Sequence, residues 1–327
     1  MPEASPIPKV SVGLPVYNGE RYVAQAIESI LAQTYENLEL IISDNASTDR
    51  TSEICEHYAA LDRRVRYLRQ EVNLGAARNF NRVFELANDS KYFKWAAHDD
   101  WIAPTFLREC ITTLETSPDA VLCQSLAEIV SGDGQLQGTY DHTARGTGLA
   151  RPSSRFWARL NGGPHCIEVF GVIRSSALAT TGLIANHISA DRTLLLELAL
   201  LGRFVLVPQV LFFNRNHSGR FSRQRYSSRE KVAWYGAATG SMASPTWTRY
   251  GEWLAIIRRH AGSRSERFRC YVHLLRSLGS RRRWLLLFFE PLVVPNPRLN
   301  DCLKSVRGWA GTEWPRSRTK ARAGRMR

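Results

Sequence analysis

Hydrophobic and polar positions follow two alternating periods along the first 130 residues. Short apolar runs predict β-strands, and between them apolar residues recur every three or four positions, which is the spacing of an amphipathic helix. The predicted strands lie at Val10–Leu14, Leu38–Ser43, Val65–Leu68, Tyr92–Ala97 and Val121–Gln124. Strand–helix alternation with short connections predicts an α/β fold, in which a mainly parallel sheet carries helices on both faces.

The pattern is less regular in the second part of the chain. Residues 131–165 are rich in Gly, Ser, Thr and Arg and are predicted to form a loop. Regular elements return as a strand at Val169–Arg174, a helix at Thr193–Leu201 and strands across Phe204–Phe213. Beyond about residue 220 the pattern is basic and mostly helical, and residues 316–327 are predicted to be disordered.

Charge is distributed unevenly between the two halves. Residues 1–150 hold 13 Lys and Arg against 21 Asp and Glu, a net charge of −8, whereas residues 151–327 hold 31 against 9, a net charge of +22. A basic half suits an anionic partner, which leaves a membrane surface, a nucleic acid and a phosphorylated ligand open. Because no nucleic-acid module is recognisable and the acidic half would repel phosphates, we expect no nucleic-acid partner.

Cysteine spacing and the first residues bear on the compartment. The six cysteines lie far apart without a C-x-x-C pair, which argues against a zinc module or a disulfide scaffold and fits a reducing compartment. Residues 1–9 lack the basic and apolar regions of a signal peptide, and no segment approaches the ~20 apolar residues of a spanning helix. We therefore expect a cytoplasmic protein.

Polar segments directly follow three of the predicted strands, at Pro15–Asn18, Asp44–Asp49 and His98–Asp100. Ligands of parallel α/β sheets bind beyond the carboxyl ends of the strands, so these segments are expected to open onto one edge. Taken alone, Asp44–Asp49 also fits a helix N-cap followed by an acidic first turn.

Asp99 and Asp100 are adjacent carboxylates at the end of an apolar run. The two acids repel each other, so the pair needs a compensating cation, and Mg²⁺ or Mn²⁺ shared with diphosphate oxygens is a candidate. The alternative is an exposed acidic turn. It is weakened because the apolar segment Tyr92–Ala97 directs both acids out of a buried strand.

Together these segments resemble the family 2 glycosyltransferases of GT-A fold. The resemblance rests on Val-Ser-Val-Gly-Leu-Pro-Val-Tyr-Asn ending at Asn18, Ser-Asp-Asn-Ala-Ser-Thr-Asp ending at Asp49, Asn73-Leu-Gly75, and His98-Asp-Asp100 followed by Pro104. It covers residues 10–217 and implies a Rossmann-like mixed, mainly parallel sheet flanked by helices. Residues 1–130 would form the nucleotide-sugar-binding half of the catalytic domain, 131–220 its acceptor-side half, and 221–327 a basic helical extension and tail.

The resemblance also implies roles for individual residues. The donor-binding residues would be Pro15, Val16, Tyr17, Asn18, Asp44, Asn45, Asn73, Gly75, Arg78 and Asp100. Asp44 would hydrogen-bond the base, which in this family is often uracil, and Asp99 would reach a divalent metal that bridges the donor diphosphate. The first acid of the family's metal triplet is Ala97 here, so metal binding must rest on fewer carboxylates. Arg78 follows Gly75 at a shorter spacing than the family pattern has.

Two further candidates lie in the second half. Ser189-Ala-Asp-Arg192 resembles the family's acidic pair before a Leu-rich helix, with Ala190 in place of the first acid. The resemblance makes Asp191 the general base for the acceptor hydroxyl, a role that contributes about 10²–10⁴-fold; a simple helix cap is the alternative.

His217 resembles the histidine that completes the metal site in many GT-A enzymes, and it would compensate for the missing acid. The alternative is a surface histidine in a basic loop, since Arg215, Arg220 and Arg223 surround it. Those arginines could instead contact the donor diphosphate or an acceptor phosphate.

These inferences predict an inverting, metal-dependent transferase that moves a sugar from a nucleoside diphosphate sugar, UDP being favoured, to a hydroxyl of a glycan or lipid-linked acceptor in surface polysaccharide or glycan assembly. One alternative is a non-catalytic nucleotide-sugar-binding protein of the same fold, suggested by Ala97 and Ala190. A nucleic-acid-binding protein is the second alternative. Residues 281–294 join three arginines to an apolar run that contains Trp284. This combination predicts peripheral contact with an anionic inner membrane face. The alternative is a helix that packs in the core.

Overall fold

The computed structural model describes residues 7–87, 89–140, 146–162, 166–187, 189–220 and 245–279. The strands in these ranges are β1 Val10–Val16, β2 Leu38–Asp44, β3 Val65–Arg69, β4 Tyr92–Trp95, β5 Trp101–Ile102, β6 Ala120–Ser131, β7 Leu136–Tyr140, β8 Val172–Arg174 and β9 Arg203–Asn216. The helices are α1 Val23–Leu31, α2 Thr51–Leu61, α3 Ala76–Glu85, α4 Phe106–Glu115, α5 Pro152–Asn161, α6 Ser175–Leu178, α7 Ala190–Leu201, α8 Pro245–His260 and α9 Arg264–Ser277.

The strands form one mixed, mainly parallel sheet in the order β3-β2-β1-β4-β8-β6-β9-β5, with β7 paired to β6. The pairs β1–β2, β2–β3, β1–β4 and β6–β9 are parallel. Strand β8 runs antiparallel between β4 and β6, and β5 runs antiparallel to β9. The predicted α/β class and the five predicted N-terminal strands are confirmed.

The predicted loop at 131–165 is wrong. Strand β7 pairs antiparallel with the second half of β6, and α5 buries Phe156 and Leu160, one helical turn apart. Both elements are short and lie in a segment rich in Gly, Ser, Thr and Arg, so their packing partners rather than the local composition stabilise them. The predicted strand Val169–Arg174 is also corrected, because Ile167–Phe170 forms a 3₁₀ turn and only the last three residues join the sheet.

Apolar residues cover both faces of the sheet, as predicted. One cluster packs α1, α2 and α4 against the sheet, and a second packs α3 and α7 against the opposite face. A third cluster joins α5, α7, α8 and α9. Helix α7 is consequently buried nearly all round, with every residue from Thr193 to Leu200 buried, as expected of a helix enclosed on several sides.

The register of the parallel strands brings the polar segments to one edge. Val16 pairs with Asp44, and Gly13 pairs with Trp95. The residues that follow these positions therefore leave the sheet on the same side. Strand β4 ends at Trp95, two residues earlier than predicted, so His98, Asp99 and Asp100 lie in the turn between β4 and β5.

Gly13 lies where α3 packs on β1, and we predict that Gly13→Ala destabilises the fold. An added Cβ would lie 2.6 Å from Val83 Cγ2 and 2.8 Å from Phe93 Cζ, and both of those side chains are fully buried. Overpacking of this kind costs about 1–3 kcal/mol. Gly138→Ala on β7 is the control, since its Cβ would meet no atom within 4 Å. Urea unfolding measures both; equal free energies of unfolding for the two variants would contradict the prediction.

Candidate active site

A cavity of about 390 Å³ opens at the carboxyl ends of β1, β2 and β4. Its walls combine apolar, amide and imidazole groups, contributed by Pro15, Val16, Tyr17, Asn45, Asn73, Leu74, Gly75, Ala76, Asn79, Phe80 and His98. Six of the predicted donor-binding residues are therefore brought together: Pro15, Val16, Tyr17, Asn45, Asn73 and Gly75. The volume and the mix of apolar and polar surfaces suit a small-molecule ligand that carries several polar groups.

Asparagine side chains hold the loops of this cavity. Asn45 Nδ2 donates to Asn73 Oδ1 at 2.8 Å, while Asn45 Oδ1 accepts from the Leu74 N–H at 2.7 Å. Asn73 Oδ1 also accepts from the Gly75 N–H at 2.9 Å. These bonds fix the residues that precede α3, so that the N-terminus of this helix faces the cavity, where helix N–H groups favour anions.

Asn18 and Asp44 support the cavity from outside its lining. Asn18 Oδ1 accepts from the Thr48 N–H at 2.8 Å. The fully buried Asp44 carboxylate accepts from the Ser47 N–H at 2.9 Å and from Tyr67 Oη at 2.9 Å. Burial and this hydrogen bond raise the pKa of Tyr67 above its usual range. Contact of Asp44 with a base stays a prediction.

Asp99 and Asp100 are adjacent but face different partners. Asp99 Oδ2 lies 3.0 Å from His217 Nε2. Asp100 accepts from Asn214 Nδ2 at 2.9 Å through one oxygen and from the Arg215 N–H at 2.8 Å through the other. Both acids are buried, so the alternative of an exposed acidic turn is wrong.

The different partners separate the acidities of the two carboxyls. Burial raises the pKa of Asp99, but the His217 hydrogen bond and nearby positive charges outweigh it and leave the pKa below its usual value. Burial and the neighbouring Asp99 charge raise the pKa of Asp100. One acid is thus held as a carboxylate, and the other shares its environment with a like charge.

The buried Arg215 side chain holds this turn by hydrogen bonds. Its Nε donates to the Asp99 carbonyl at 2.9 Å, its Nη1 donates to the Gly132 carbonyl at 2.7 Å, and its Nη2 donates to Gln25 Oε1. The guanidinium also lies over the ring of Trp101, 4.6 Å from its centroid. With these contacts, Arg215 ties β9, α1 and the β6–β7 turn to the acidic turn, and each of its three guanidinium nitrogens donates a hydrogen bond to the protein.

Asp99 and His217 fit as part of a divalent cation site. Ligand atoms about 2.1 Å from an ion and at right angles are roughly 3.0 Å apart, which is the distance between Asp99 Oδ2 and His217 Nε2. Within the ranges that the structure describes, no three His, Cys, Asp or Glu side chains are grouped to hold one ion. The pair would therefore need diphosphate oxygens or water to complete the coordination.

The remaining predicted residues lie apart from the cavity lining. Arg78 is exposed on α3. Asp191 is half-buried in the first turn of α7, where its Oδ1 accepts from the Arg192 N–H at 2.8 Å. This contact agrees with a helix-terminal role and leaves the predicted role as a base open. His98, by contrast, lines the cavity. Its segment was predicted to open onto this edge of the sheet, but the sequence suggested no ligand-binding role for the residue itself.

Lys94 is a buried cation beneath the acidic turn. It is 1% exposed, its Nζ donates to the Trp95 carbonyl at 2.9 Å, and it lies over the rings of Phe106 and Phe212. Together with Ala97 and Asp100 it lines a cavity of about 10 Å³, about the size of one water. Burial lowers the pKa of Lys94 to about 8, although the Asp100 charge acts in the opposite direction.

The sequence is similar to known glycosyltransferases. The model of the family "Glycosyl transferase family 2" matches residues 11–180, slightly more than half of the chain. Glycosyltransferase GlyG of Streptococcus pneumoniae serotype 4 is 41% identical over 127 residues, 39% of this chain and 42% of GlyG. Glycosyltransferase GlyA of the same organism is 39% identical over 101 residues, 30% of this chain and 14% of GlyA. The matched stretches span less than half of either relative.

Solved structures share the fold at low sequence identity. S. aureus TarS 1–349 in complex with UDP-GlcNAc has a TM-score of 0.59 and 16% identity, covering 84% of this chain and 74% of TarS. GalNAc-T7 with UDP, GalNAc and Mn²⁺ has a TM-score of 0.50 and 12% identity, covering 65% of this chain and 45% of GalNAc-T7. These likenesses confirm the predicted GT-A type of mixed sheet.

The buried Lys94 predicts a pH dependence of stability. Its pKa of about 8 in the folded protein lies below the ordinary 10.5, so the unfolded chain binds the proton more tightly between these values. The free energy of unfolding therefore rises with pH across this window. Relative to Lys94→Met, the wild type should gain roughly 2 kcal/mol between about pH 7.5 and about pH 10. Urea unfolding at several pH values tests this, and a flat or falling difference would refute it.

Proposed function

Because this chain belongs to glycosyltransferase family 2, we propose that it transfers a sugar from a nucleoside diphosphate sugar to an acceptor hydroxyl. The observation that carries the proposal is the cavity at the strand ends, whose lining residue His98 adjoins the Asp99–His217 pair. A nucleotide in the cavity would direct its diphosphate toward that pair. The names of GlyG and GlyA support the same reaction class.

The lining supports a nucleotide as the occupant. Tyr17 is 44% exposed at the cavity wall, so its ring offers an apolar face for a base. The N-terminus of α3 adds backbone N–H groups for an anion. We favour a UDP sugar, since TarS, which shares the fold, is in complex with UDP-GlcNAc.

A divalent cation belongs to this proposal. Asp99 and His217 would hold it, and when bound it would neutralise charge on the donor diphosphate. GalNAc-T7, which shares the fold, was solved with Mn²⁺. Asp100 has both oxygens engaged with Asn214 and Arg215, so its part is to position the turn that presents Asp99.

Asp191 is the proposed general base, and the reaction inverts the anomeric carbon. The acceptor oxygen forms a bond to the anomeric carbon while the bond from that carbon to the diphosphate oxygen breaks. The hydroxyl proton passes to the Asp191 carboxylate, and the nucleoside diphosphate leaves with the electron pair. A single displacement needs one base and a stabilised leaving group, without an enzyme nucleophile.

A thermal-shift screen of nucleotide sugars with and without Mn²⁺, followed by a transfer or donor-hydrolysis assay, tests the proposal. One donor should raise the melting temperature in a metal-dependent way. Asp99→Asn should reduce the metal-dependent part of that rise. Asp191→Asn should keep donor binding and lower turnover by about 10²–10⁴-fold.

The control is Asp119→Asn, at an exposed carboxylate beside the start of β6, away from the carboxyl edge; it should match the wild type. Absence of stabilisation by every nucleotide sugar would refute the proposal. Donor binding without turnover in the wild type would instead favour the non-catalytic alternative, which Ala97 and Ala190 suggest.

We also propose that the acceptor is a glycan or a lipid-linked glycan met at the inner face of a membrane. Residues 281–294, where the sequence predicts membrane contact, lie outside the described residues. Helix α9, just before them, exposes Phe268 by 68% and Leu275 by 60%, close to the exposed Arg264, Arg269 and Arg276. Residues 245–279 hold seven Arg against two Glu, a net charge of +5. In the described part of the chain, no helix has the length and apolar character to cross a bilayer.

Flotation with vesicles of anionic phospholipid tests this contact. The double variant Phe268→Ser with Leu275→Ser should bind several-fold less than the wild type, because it loses apolar surface that would enter the interface. Leu61→Ser on α2 is the matched control, since Leu61 is 70% exposed on another part of the surface. Equal flotation of the double variant and the control would argue against α9 as the contact.

A further inference from the structure

The arginines at the end of β9 and just beyond it have different surroundings. Arg215 is 4% exposed, and its guanidinium is bonded to protein groups. Arg220 is half-buried and lies three residues after His217. Arg223 lies outside the described residues. Of Arg215 and Arg220, Arg220 is therefore the one whose charge can reach a ligand.

One terminal nitrogen anchors Arg220. Its Nη1 donates to Asn214 Oδ1 at 2.7 Å and to the Arg215 carbonyl at 2.8 Å. Its backbone N–H donates to the His217 carbonyl at 3.2 Å, which closes a turn. In the part of the chain that the structure describes, Nε and Nη2 make no hydrogen bond or ion pair. The guanidinium thus has a fixed position and donors left for another group.

Arg220 also lies beside the acidic turn. Asn214 connects the groups directly, because its Oδ1 accepts from Arg220 while its Nδ2 donates to Asp100. The guanidinium therefore borders the place where the donor diphosphate would meet Asp99 and His217.

The charge balance of the site favours an anion there. Ala97 supplies no carboxylate at the first position of the acidic triplet, whereas Arg220 supplies a positive charge beside the remaining two acids. A planar guanidinium with two free donor positions matches two oxygens of a phosphate. Arg220 therefore offers the diphosphate a positive charge from the protein. A site with a third carboxylate in place of Ala97 would rely more on the metal for that charge.

We propose that Arg220 binds the diphosphate of the donor directly, so that part of the affinity for a nucleoside diphosphate persists without a divalent ion. This inference rests on the proposed function, and it adds Arg220 to the residues that bind the donor, as a source of positive charge beside the metal. The arginine makes and breaks no covalent bond. It neutralises the charge that grows on the departing diphosphate as the bond to the anomeric carbon breaks.

Calorimetric titration of the full chain with UDP and with uridine, in EDTA, tests the proposal. The wild type should bind UDP at least about tenfold more tightly than uridine, the range expected for a charged hydrogen bond. Arg220→Ala should lose most of this ratio while keeping its uridine affinity. Arg220→Lys should keep part of the ratio, because the charge remains without the planar fork.

Arg258→Ala is the matched control, an exposed arginine on α8, and it should retain the wild-type ratio. A UDP-to-uridine ratio that is unchanged in Arg220→Ala overturns the inference. So does an equal loss of UDP and uridine affinity, since that marks a purely structural role. If the wild type binds neither UDP nor GDP, even with Mn²⁺, the proposed function itself fails. If the wild type binds UDP and Arg220→Ala binds it equally well, only the inference about Arg220 fails.

Discussion

The site depends on how the buried Asp100 carboxylate is held. Its two oxygens accept from Asn214 and from the Arg215 N–H, which lie 114 and 115 residues further along the chain. A buried carboxylate without donors is costly, so the end of β9 must stay beside the turn after β4. That constraint joins the N-terminal strands to the second half of the sheet. It also leaves the neighbouring Asp99 facing His217.

Asp99 and Asp100 can both be buried in one turn because cationic side chains lie around them. Arg215 caps the Asp99 carbonyl, Arg220 approaches from the turn after β9, and Lys94 lies beneath in an aromatic setting. The Arg220 charge favours the ionised form of both acids, and the Lys94 and Asp100 charges attract each other. A metal-bound diphosphate would enter a site that is already partly neutralised, which is the physical basis for giving Arg220 a share in binding it.

The C-terminal helices contact α7, and α7 carries the proposed base. Buried Glu197 on α7 accepts from Arg259 at 2.9 Å and lies 2.8 Å from His260, both on α8. Trp253 of α8 donates to Thr193 at 3.1 Å. Because Asp191 lies in the first turn of the same helix, its position relative to the cavity depends on how α8 packs. The basic extension is thus part of the support of the proposed base as well as a candidate membrane surface.

Local pattern determined the strands β1 to β4, the helices between them and the polar segments at their ends, since short apolar runs and helical spacing act within a few residues. The convergence of Pro15, Val16, Tyr17 and Asn45 followed from parallel pairing alone. Only the tertiary structure decided that β7 and α5 form, because β7 depends on pairing with β6 and α5 depends on packing against α7 and α9. It alone also decided that Asp44 accepts a hydrogen bond from Tyr67, and that Arg215 is buried while Arg220 is only half-buried. Burial and long-range hydrogen bonds set those outcomes, and neither leaves a periodic signal in the chain.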